Sequence, residues 1–454
     1  MTKWIPELKE SSRPKFKRLA DAIECDVYSG RLKPGEKLPT HRELADDLQM
    51  NVSTVTRGYA EAEKRGLVCG TVGRGTFIAP DAVTSSSMFS FEPHVPGMIE
   101  LGLVNTFYDL DPDMQDAMKR LTRRRNLNAF LRYTDPQGLP EHRETGAEWF
   151  RCYNMEVSPD DVLICSGAQH AITCCLSSLF RAGDRIATDA LTYPGMKTLA
   201  SMLGIRLVPV QMDDKGMIPQ VLDTVCRREK ISGIYLMPEV QNPTTACMDL
   251  QRRQQIAETA RLHNLTIIED DAYALTVESS LPPVSSFAPD QSVLIAGVSK
   301  IIAVGLRVAF MSARGDMHEK LAHAILNSVW MTPPLNAELI CQWIKDGTAE
   351  KTMRMKRQAA HERFEAVRDY TDEMELVGNP SGFFLWLKLP DPWRGFMLES
   401  RAREAGLNIF AAEKFAVGDR PVPPMIRLSL SGPKDIAELR KGMEILTSII
   451  RNGK

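Results

Sequence analysis

The sequence lacks any regular arrangement of cysteines. Its 9 cysteines are odd in number and scattered, and the adjacent pair Cys174 and Cys175 lies inside an apolar segment. No two of them have the C-x-x-C spacing of a zinc or redox site. This distribution excludes the disulfide framework of small secreted domains, and reduced structural thiols are the simpler interpretation.

Long apolar runs and a strong charge of one sign are also absent. No stretch approaches the ~18 apolar residues of a membrane span, and the start, MTKWIPELKESSRPKFKR, lacks the apolar core of a signal peptide. We therefore expect a cytoplasmic protein with no membrane partner. The formal net charge is −2, yet residues 1–79 carry about 14 lysines and arginines against about 11 acidic residues. That excess is only a faint indication of an anionic partner, because solvated helix faces often carry a similar one.

The length and a change of composition divide the chain. A chain of 454 residues exceeds what one core normally holds and predicts two or three domains. Residues 80–98 are rich in Ser and Pro and have neither helical nor strand periodicity, which is typical of a linker. Residues 1–79 contain short helical patterns, whereas residues 99–454 alternate short apolar runs with helical stretches. This alternation predicts an α/β domain with a central, mostly parallel sheet.

Two helical patterns in the N-terminal segment are separated by a short break at residues 49–51. Thr40 and Glu43 form a capping box that predicts the start of the first helix. Ser53 and Thr54 open the second helix. Two helices with a tight turn predict a helix-turn-helix, and the alternative is an ordinary helical hairpin with a solvated basic face.

A glycine-rich hairpin follows these helices. The segment GLVCGTVGRGTFIAP contains two short β runs, LVC and TFI, and places Arg74 near the tip of the turn between them. A hairpin with an arginine at its tip has the outline of a DNA-binding wing.

The complete order of these elements resembles the winged-helix domain of GntR-family transcription regulators over residues 13–79. The segments RLKPGEKLPTHRELADDL and GRGTF carry the resemblance most specifically. It implies that double-stranded DNA is a partner. The candidate DNA-binding residues are Arg42, Ser53, Thr54, Thr56, Arg57 and Arg74. One departure is Val52, which stands where many members of the family have a basic residue at the start of the recognition helix.

Small or polar residues follow five predicted strands of the second domain. Ser166 to Gln169 follow the strand VLIC, Tyr193 follows RIAT, and Asn242 follows GIYLM. Asp270 and Tyr273 follow TIIE, and Ser299, Lys300 and Arg307 follow SVLIA. Ligands gather outside the carboxyl ends of the strands in an open parallel sheet. Small residues that open a helix after a strand also expose backbone N–H groups that suit a phosphate.

These residue types suit pyridoxal phosphate. A lysine forms a Schiff base with an aldehyde, a carboxylate pairs with a protonated pyridine nitrogen, an aromatic ring stacks on the heterocycle, and helix N–H groups with an arginine bind phosphate. The ordinary alternatives are core packing for Tyr193, a turn for Asn242, a helix cap for Asp270 and a surface position for Lys300. Five such groups at successive strand ends favour the cofactor.

Residues 99–454 resemble the fold-type I aminotransferase domain of pyridoxal-phosphate enzymes. The matching segments are YTDPQGLPEHR, SGAQHA, TYPG, QNPT, EDDAY, SKIIAVGLR and IRLSLS. By this resemblance Lys300 is the catalytic residue that forms the Schiff base. The implied cofactor-binding residues are Tyr133, Gly167, Ala168, Gln169, Tyr193, Asn242, Asp270, Tyr273, Ser299, Lys300 and Arg307.

The resemblance also implies a role for Tyr133 and for Arg427. Tyr133 is similar to the tyrosine that reaches the phosphate of the neighbouring subunit, which implies a homodimer with composite sites. Arg427, in MIRLSLS, matches the arginine that binds a substrate carboxylate, and its alternative is a strand arginine in a structural ion pair. Three positions depart from the family pattern: Gly297 replaces a frequent serine, Thr245 a common glycine and His142 a usual apolar residue.

A winged helix joined to an aminotransferase-like domain is the architecture of MocR-type regulators within the GntR family. It implies a DNA-binding transcription regulator that senses a small amine, an amino acid or the cofactor itself. A catalytically active aminotransferase with minor or lost DNA binding is the alternative, because Lys300 and Arg427 are both present. A third interpretation, a DNA-binding protein whose large domain only dimerises, conflicts with the assembled cofactor residues.

Overall fold

The computed structural model describes residues 4–8, 14–28, 31–32, 35–64, 67–71, 75–78, 97–123, 126–278, 281–378, 380, 382–418 and 421–452. These residues form two compact units. The small unit takes its described residues from 1–93 and 413–422, and the large unit takes them from 94–412 and 423–454. Most of the predicted linker lies outside the described residues. The linker bounds of 80–98 therefore stay a prediction.

The small unit contains a helix-turn-helix followed by a hairpin. Its elements are α1 Lys15–Tyr28, α2 His41–Asp47, α3 Val52–Lys64, β1 Val68–Thr71 and β2 Gly75–Ile78. Thr40 and Glu43 exchange side-chain to backbone hydrogen bonds at the start of α2, so the predicted capping box is confirmed. Gln49 has a positive φ of 49° in the turn before α3. β1 and β2 pair antiparallel as predicted, while Arg74 lies outside the described residues.

Packing between α1 and α3 decides which side of α3 faces outward. Leu19 and Ile23 of α1 belong to one apolar cluster with Val55 and Tyr59 of α3. The hydroxyl of Tyr59 also donates a hydrogen bond to the carbonyl oxygen of Pro39 at 2.9 Å. These contacts bury one face of α3 and leave the opposite face exposed.

The large unit is an α/β domain. Its helices are α4 Met114–Leu121, α5 Pro140–Phe150, α6 Ala168–Leu179, α7 Pro194–Met202, α8 Pro219–Arg228, α9 Leu250–Leu262, α10 Gly315–Val329, α11 Pro334–Lys345, α12 Thr348–Val367, α13 Gly395–Glu404 and α14 Ile436–Asn452. Its strands are β3 Ile99–Glu100, β4 Val162–Cys165, β5 Arg185–Asp189, β6 Arg206–Val210, β7 Met212–Asp213, β8 Gly216–Met217, β9 Gly233–Leu236, β10 Thr266–Asp270, β11 Ser292–Gly297, β12 Ala309–Ser312, β13 Glu375–Val377, β14 Phe384–Lys388, β15 Leu407–Asn408, β16 Phe410–Ala411 and β17 Met425–Ser429. In the part of the chain that the structure describes, no helix is both long and apolar enough to span a bilayer.

The central sheet has seven strands in the order β4-β12-β11-β10-β9-β5-β6. β12 runs antiparallel to its neighbours β4 and β11, and the remaining pairs are parallel. Every residue of β4, β9, β11 and β12 is buried, which explains why these strands appear in the sequence as unbroken apolar runs. The predicted, mostly parallel sheet is confirmed.

The five strands that precede the candidate site residues all point the same way. β5, β9, β10 and β11 are mutually parallel, and β4 shares their direction because β12 runs opposite to both β4 and β11. Their carboxyl ends therefore lie along one edge of the sheet, where ligands of such folds bind.

A second, antiparallel sheet of four strands carries the candidate effector residue. Its order is β13-β14-β17-β16. One apolar cluster joins it to α14, with Leu385 and Ile426 from the sheet and Leu439 from the helix. In this sheet Arg427 of β17 pairs in register with Phe410 of β16.

Candidate functional site

Lys300 lies just beyond the carboxyl end of β11. Its Nζ donates a hydrogen bond to the carbonyl oxygen of Val104 and lies 5.4 Å from the centroid of the Tyr273 ring. Its backbone oxygen accepts a hydrogen bond from Thr106 Oγ1 at 2.9 Å. Lys300 is half-buried, and both its amine and its backbone are hydrogen-bonded to the segment at residues 104–106.

The surroundings of Lys300 favour its neutral amine. Burial lowers the pKa of Lys300 to about 7, and nearby positive charges contribute to this shift. Those charges belong to Arg427, Arg307 and Lys356. About half of the amine is therefore neutral at pH 7, whereas an ordinary lysine with a pKa of about 10.4 is almost wholly charged. A neutral amine can attack an aldehyde carbon without a separate base.

Asp270, the last residue of β10, is buried and accepts two hydrogen bonds. The hydroxyl of Tyr235 donates to Oδ2 at 2.7 Å, and the backbone N–H of Ala272 donates to Oδ1 at 3.2 Å. Burial raises the pKa of Asp270 to about 6 against the opposing effect of these bonds. The carboxylate is thus mostly ionised at pH 7 and suited to a protonated heterocyclic nitrogen, which would lower its pKa again.

Arg427 is bonded to Asn242, a candidate cofactor residue. Its Nη1 donates to Asn242 Oδ1 at 2.6 Å, and its Nη2 donates to the carbonyl oxygen of Gly102 at 2.7 Å. The guanidinium carbon lies 5.5 Å from the centroid of the Phe384 ring and 5.4 Å from that of Phe410. Burial lowers the pKa of Arg427 to about 10, so the side chain stays positive at pH 7.

Tyr193 and Tyr273 keep their phenolic protons at neutral pH. Burial raises the pKa of both hydroxyls, that of Tyr273 to about 12. The hydroxyl of Tyr193 donates to Gln169 Oε1 at 2.9 Å. The Tyr273 ring packs edge-on against Phe384 with a centroid distance of 5.2 Å. A neutral phenol can donate to a ring oxygen, and an aromatic face can stack on a heterocycle.

Gly167 and Arg307 lie against each other at the start of α6. Gly167 has a φ of 89°, and a Cβ there would lie only 2.5 Å from Arg307 Nη2, so the position requires glycine. Arg307 Nη1 donates to Ser299 Oγ at 3.3 Å. The first turn of α6 contains Ala168 and Gln169, whose backbone N–H groups have no acceptor within the helix. A helix start, an arginine and a hydroxyl together have the chemistry of a phosphate site.

Sequence reasoning missed the segment at residues 102–106 and Lys356. Lys356 of α12 is fully buried and donates to Thr106 Oγ1 at 2.7 Å and to the carbonyl oxygen of Ile302 at 2.9 Å. It also forms an ion pair with Asp111. Thr106 in turn donates to the backbone of Lys300. No local pattern marks these residues, because their contacts join parts of the chain that are far apart in sequence.

Tyr133 lies at the surface rather than among these residues. It is 81% exposed, and its ring centroid lies 5.4 Å from that of Trp330, which is 55% exposed. Exposed aromatic rings that lie side by side suit a contact with another subunit. The role of Tyr133 towards a neighbouring subunit stays a prediction.

The three departures from the family pattern differ in their structural cost. A Cβ at Gly297 would lie 3.5 Å from Ala272 Cα, an ordinary contact, so the space does not require glycine. Thr245 has a φ of 58°, in the left-handed region where glycine is favoured. His142 is buried, and its Nε2 lies 3.1 Å from Glu338 Oε2, which supplies the polar partner that a buried imidazole needs.

The described candidate DNA-binding residues lie on α2 and in the first turns of α3. Arg42 of α2 is exposed, and on α3 Ser53, Thr56 and Arg57 are exposed while Thr54 is half-buried. The structure therefore places these residues on the outward side of the helix-turn-helix.

Two family models match the chain. The model of bacterial regulatory proteins of the gntR family matches residues 15–78. The model of class I and II aminotransferases matches residues 97–446, which is most of the chain.

Two relatives are named as transcription regulators, one matching nearly the whole chain and one about two thirds of it. The chain is 33% identical over 447 residues to the uncharacterized HTH-type transcriptional regulator YdeF of Bacillus subtilis, covering 98% of this chain and 96% of that protein. It is 27% identical over 304 residues to the vitamin B6 salvage pathway transcriptional repressor PtsJ of Salmonella typhimurium, covering 66% and 68%.

A solved aminotransferase shares the fold of the large unit. The structure of LysN, an α-aminoadipate aminotransferase from Thermus thermophilus complexed with N-(5'-phosphopyridoxyl)-L-leucine, matches with a TM-score of 0.71 and 25% identity. The match covers 79% of this chain and 93% of that one, and it confirms the fold-type I architecture. The chain therefore belongs to the class I and II aminotransferase family and, because a gntR-family helix-turn-helix precedes that domain, it is a transcription regulator of the MocR type.

Proposed function

We propose that the large unit binds pyridoxal phosphate through Lys300 and that an amine or amino acid bound there changes DNA binding by the small unit. The convergence of Lys300, Asp270 and the Gly167–Arg307 pair at one edge of the central sheet carries this proposal. The phosphopyridoxyl compound bound by LysN supports the choice of cofactor. The name of PtsJ, a repressor of vitamin B6 salvage, also makes the cofactor itself a candidate effector.

The residues present fit the cofactor group by group. Asp270 would pair with the pyridine nitrogen, Asn242 and Tyr273 would bind the ring oxygen, and Tyr193 would stack on the ring. The phosphate would be held by Gly167, Ala168, Gln169, Ser299 and Arg307. When bound, the cofactor supplies an aldehyde that links to the Lys300 amine and can exchange that amine for another.

Arg427 would bind the carboxylate of an amino-acid effector. It is a buried, positively charged guanidinium whose bond to Asn242 places it beside the cofactor residues. A guanidinium binds a carboxylate through two parallel hydrogen bonds, so an amino acid is favoured over a simple amine.

The regulator would act in the cytoplasm as a homodimer, with Tyr133 completing the phosphate site of the partner subunit. An effector that binds two conformations of the large unit unequally shifts the population between them. DNA binding responds if the two conformations differ in their affinity for DNA. Binding of DNA then changes the affinity for the effector by the same factor.

The test is a fluorescence anisotropy titration of the full chain against DNA from upstream of its own and neighbouring genes, with competitor DNA present. The titration is run with and without pyridoxal phosphate on the wild type, on Lys300→Ala and on Lys351→Ala. Lys351 is an exposed lysine of α12 and serves as the matched control. We expect the cofactor to change the Kd of the wild type and of Lys351→Ala, and not that of Lys300→Ala. An equal change in all three would contradict the role of Lys300.

A working aminotransferase is the second candidate, and the lowered pKa of Lys300 favours it because a neutral amine is ready to react. Turnover of an amino donor with a keto acid, abolished in Lys300→Ala, would establish activity. Sequence-specific DNA binding that ignores the cofactor, together with such turnover, would favour the enzyme over the sensor.

A further inference from the structure

The outward face of α3 begins with an apolar residue. The recognition helix of a helix-turn-helix contacts base edges with its N-terminal residues. Here that end carries Val52, followed by Ser53, and both are exposed. Among the described residues of the small unit, the strongly exposed large apolar side chains are Val52, at 42%, and Ile5, at 52%.

The hydroxyl of Thr56, one turn further along α3, is already engaged. It donates a hydrogen bond to the carbonyl oxygen of Val52 at 3.0 Å. Its oxygen lies 3.0 Å from His41 Nδ1, and because the hydroxyl proton is used, the imidazole N–H is the donor in that pair. Thr56 therefore has no proton left to donate to a base.

The charged group of Arg57 lies against α1. Its guanidinium carbon is 4.2 Å from the centroid of the Phe16 ring, a cation–π contact. An arginine held in this way is better placed for the DNA backbone than for base edges, and phosphate contacts carry no direct sequence information. The base-reading end of α3 is thus left chiefly to Val52 and Ser53.

We propose that Val52 is a specificity-determining residue that recognises the C5-methyl group of a thymine in the major groove. Thymine is the base that presents a methyl group there, and apolar side chains recognise it by contact. Valine suits this task because its branched side chain has few rotamers to lose on binding. The inference rests on DNA binding by the small unit and not on the cofactor.

The test begins with selection of a binding site from random duplex DNA by the full-length protein. Each thymine of the selected site is then replaced by deoxyuridine, which removes the methyl group and keeps base pairing. Kd is measured by anisotropy at one fixed salt concentration for the wild type, for Val52→Ala and for Ile5→Ala. The Ile5 variant controls for the loss of exposed apolar surface elsewhere in the unit.

We expect one thymine per half-site at which deoxyuridine weakens wild-type binding about 3- to 5-fold, the value of one buried methyl group. The same replacement should have a smaller effect on Val52→Ala, which retains only the Cβ methyl, and the full effect on Ile5→Ala. Selection with Val52→Arg should replace thymine by guanine at that position, because arginine bonds the guanine edge.

An equal loss in wild type and Val52→Ala, or specific binding with no methyl dependence at any thymine, would overturn the assignment while leaving DNA binding intact. Absence of any specific binding would instead refute the DNA binding on which the assignment rests. Thermal unfolding of Val52→Ala checks its fold, which we expect to be unchanged because the side chain is exposed.

Discussion

The rate at which pyridoxal phosphate attaches to the apoprotein should follow the neutral fraction of Lys300. Burial and neighbouring charges lower the pKa of this amine from 10.5 to about 7. About half of the amine is then neutral at pH 7, against roughly 0.03% for an unperturbed lysine, a factor on the order of 1,000 in reactive species. The rate should therefore rise with pH only up to about pH 7 and then level off.

The assay follows the absorbance of the cofactor after rapid mixing with apoprotein between about pH 5 and about pH 10, a range that spans both pKa values. A free lysine derivative in the same buffers corrects for titration of the cofactor itself. Arg427→Met should raise the midpoint, because it removes the positive charge that contributes most to lowering the pKa of Lys300, while the burial of the amine remains. Lys351→Met should leave the midpoint unchanged. A rate that keeps rising to pH 10 in the wild type would refute the argument, since the amine would then behave as an ordinary lysine.

Three further predictions concern the residues proposed to bind the cofactor and one buried pair in the core. Gly167→Ala should weaken cofactor binding about 10-fold, because alanine is strained at this positive φ, by ~1–3 kcal/mol, and its Cβ would displace the Arg307 guanidinium. Gly305→Ala, where a Cβ meets nothing within 4 Å, should leave binding unchanged. Titration of the cofactor, followed by absorbance, compares the two variants. Lys300→Met should raise the free energy of unfolding of the apoprotein by about 4 kcal/mol at pH 7, a gain that fades towards pH 10.5 as the unfolded amine also loses its proton. His142→Leu should lower the free energy of unfolding in denaturant by about 3 kcal/mol, because it leaves Glu338 buried without its partner. Adding Glu338→Leu should restore most of that free energy. A double variant no more stable than His142→Leu would show that loss of the pair is not the cause.

The strands and the groups that follow them could be predicted because both signals are local. An apolar run that is buried on both faces predicts a strand, and the small or charged residue that follows it marks the carboxyl end of that strand. The runs before Gly167, Asp270 and Lys300 all coincide with strands of the central sheet. The capping box of α2 was predictable for the same reason, since its two residues are three positions apart.

The partners of these groups could not be predicted, because they come from distant parts of the chain. Tyr235 supports Asp270 from within an apolar strand, where its hydroxyl gives no periodic signal. Lys356 supports Thr106 from a helix that otherwise resembles any charged helix. The predicted role of Tyr133 depends on a contact with a second subunit, and neither the sequence nor a single chain contains that contact.

The segment at residues 102–106 enters the large unit soon after the linker and supplies acceptors to two of the groups that a ligand would use. The carbonyl oxygen of Val104 accepts from Lys300 Nζ, and that of Gly102 accepts from Arg427. A cofactor or effector that engages these side chains competes directly with the backbone for the same donors. Each such hydrogen bond is worth about 1 kcal/mol, so the two together, about 2 kcal/mol or roughly 30-fold in affinity, fall within the 1–3 kcal/mol of typical allosteric coupling. Ligand binding at these side chains would therefore also change the hydrogen bonding of the backbone at residues 102–106.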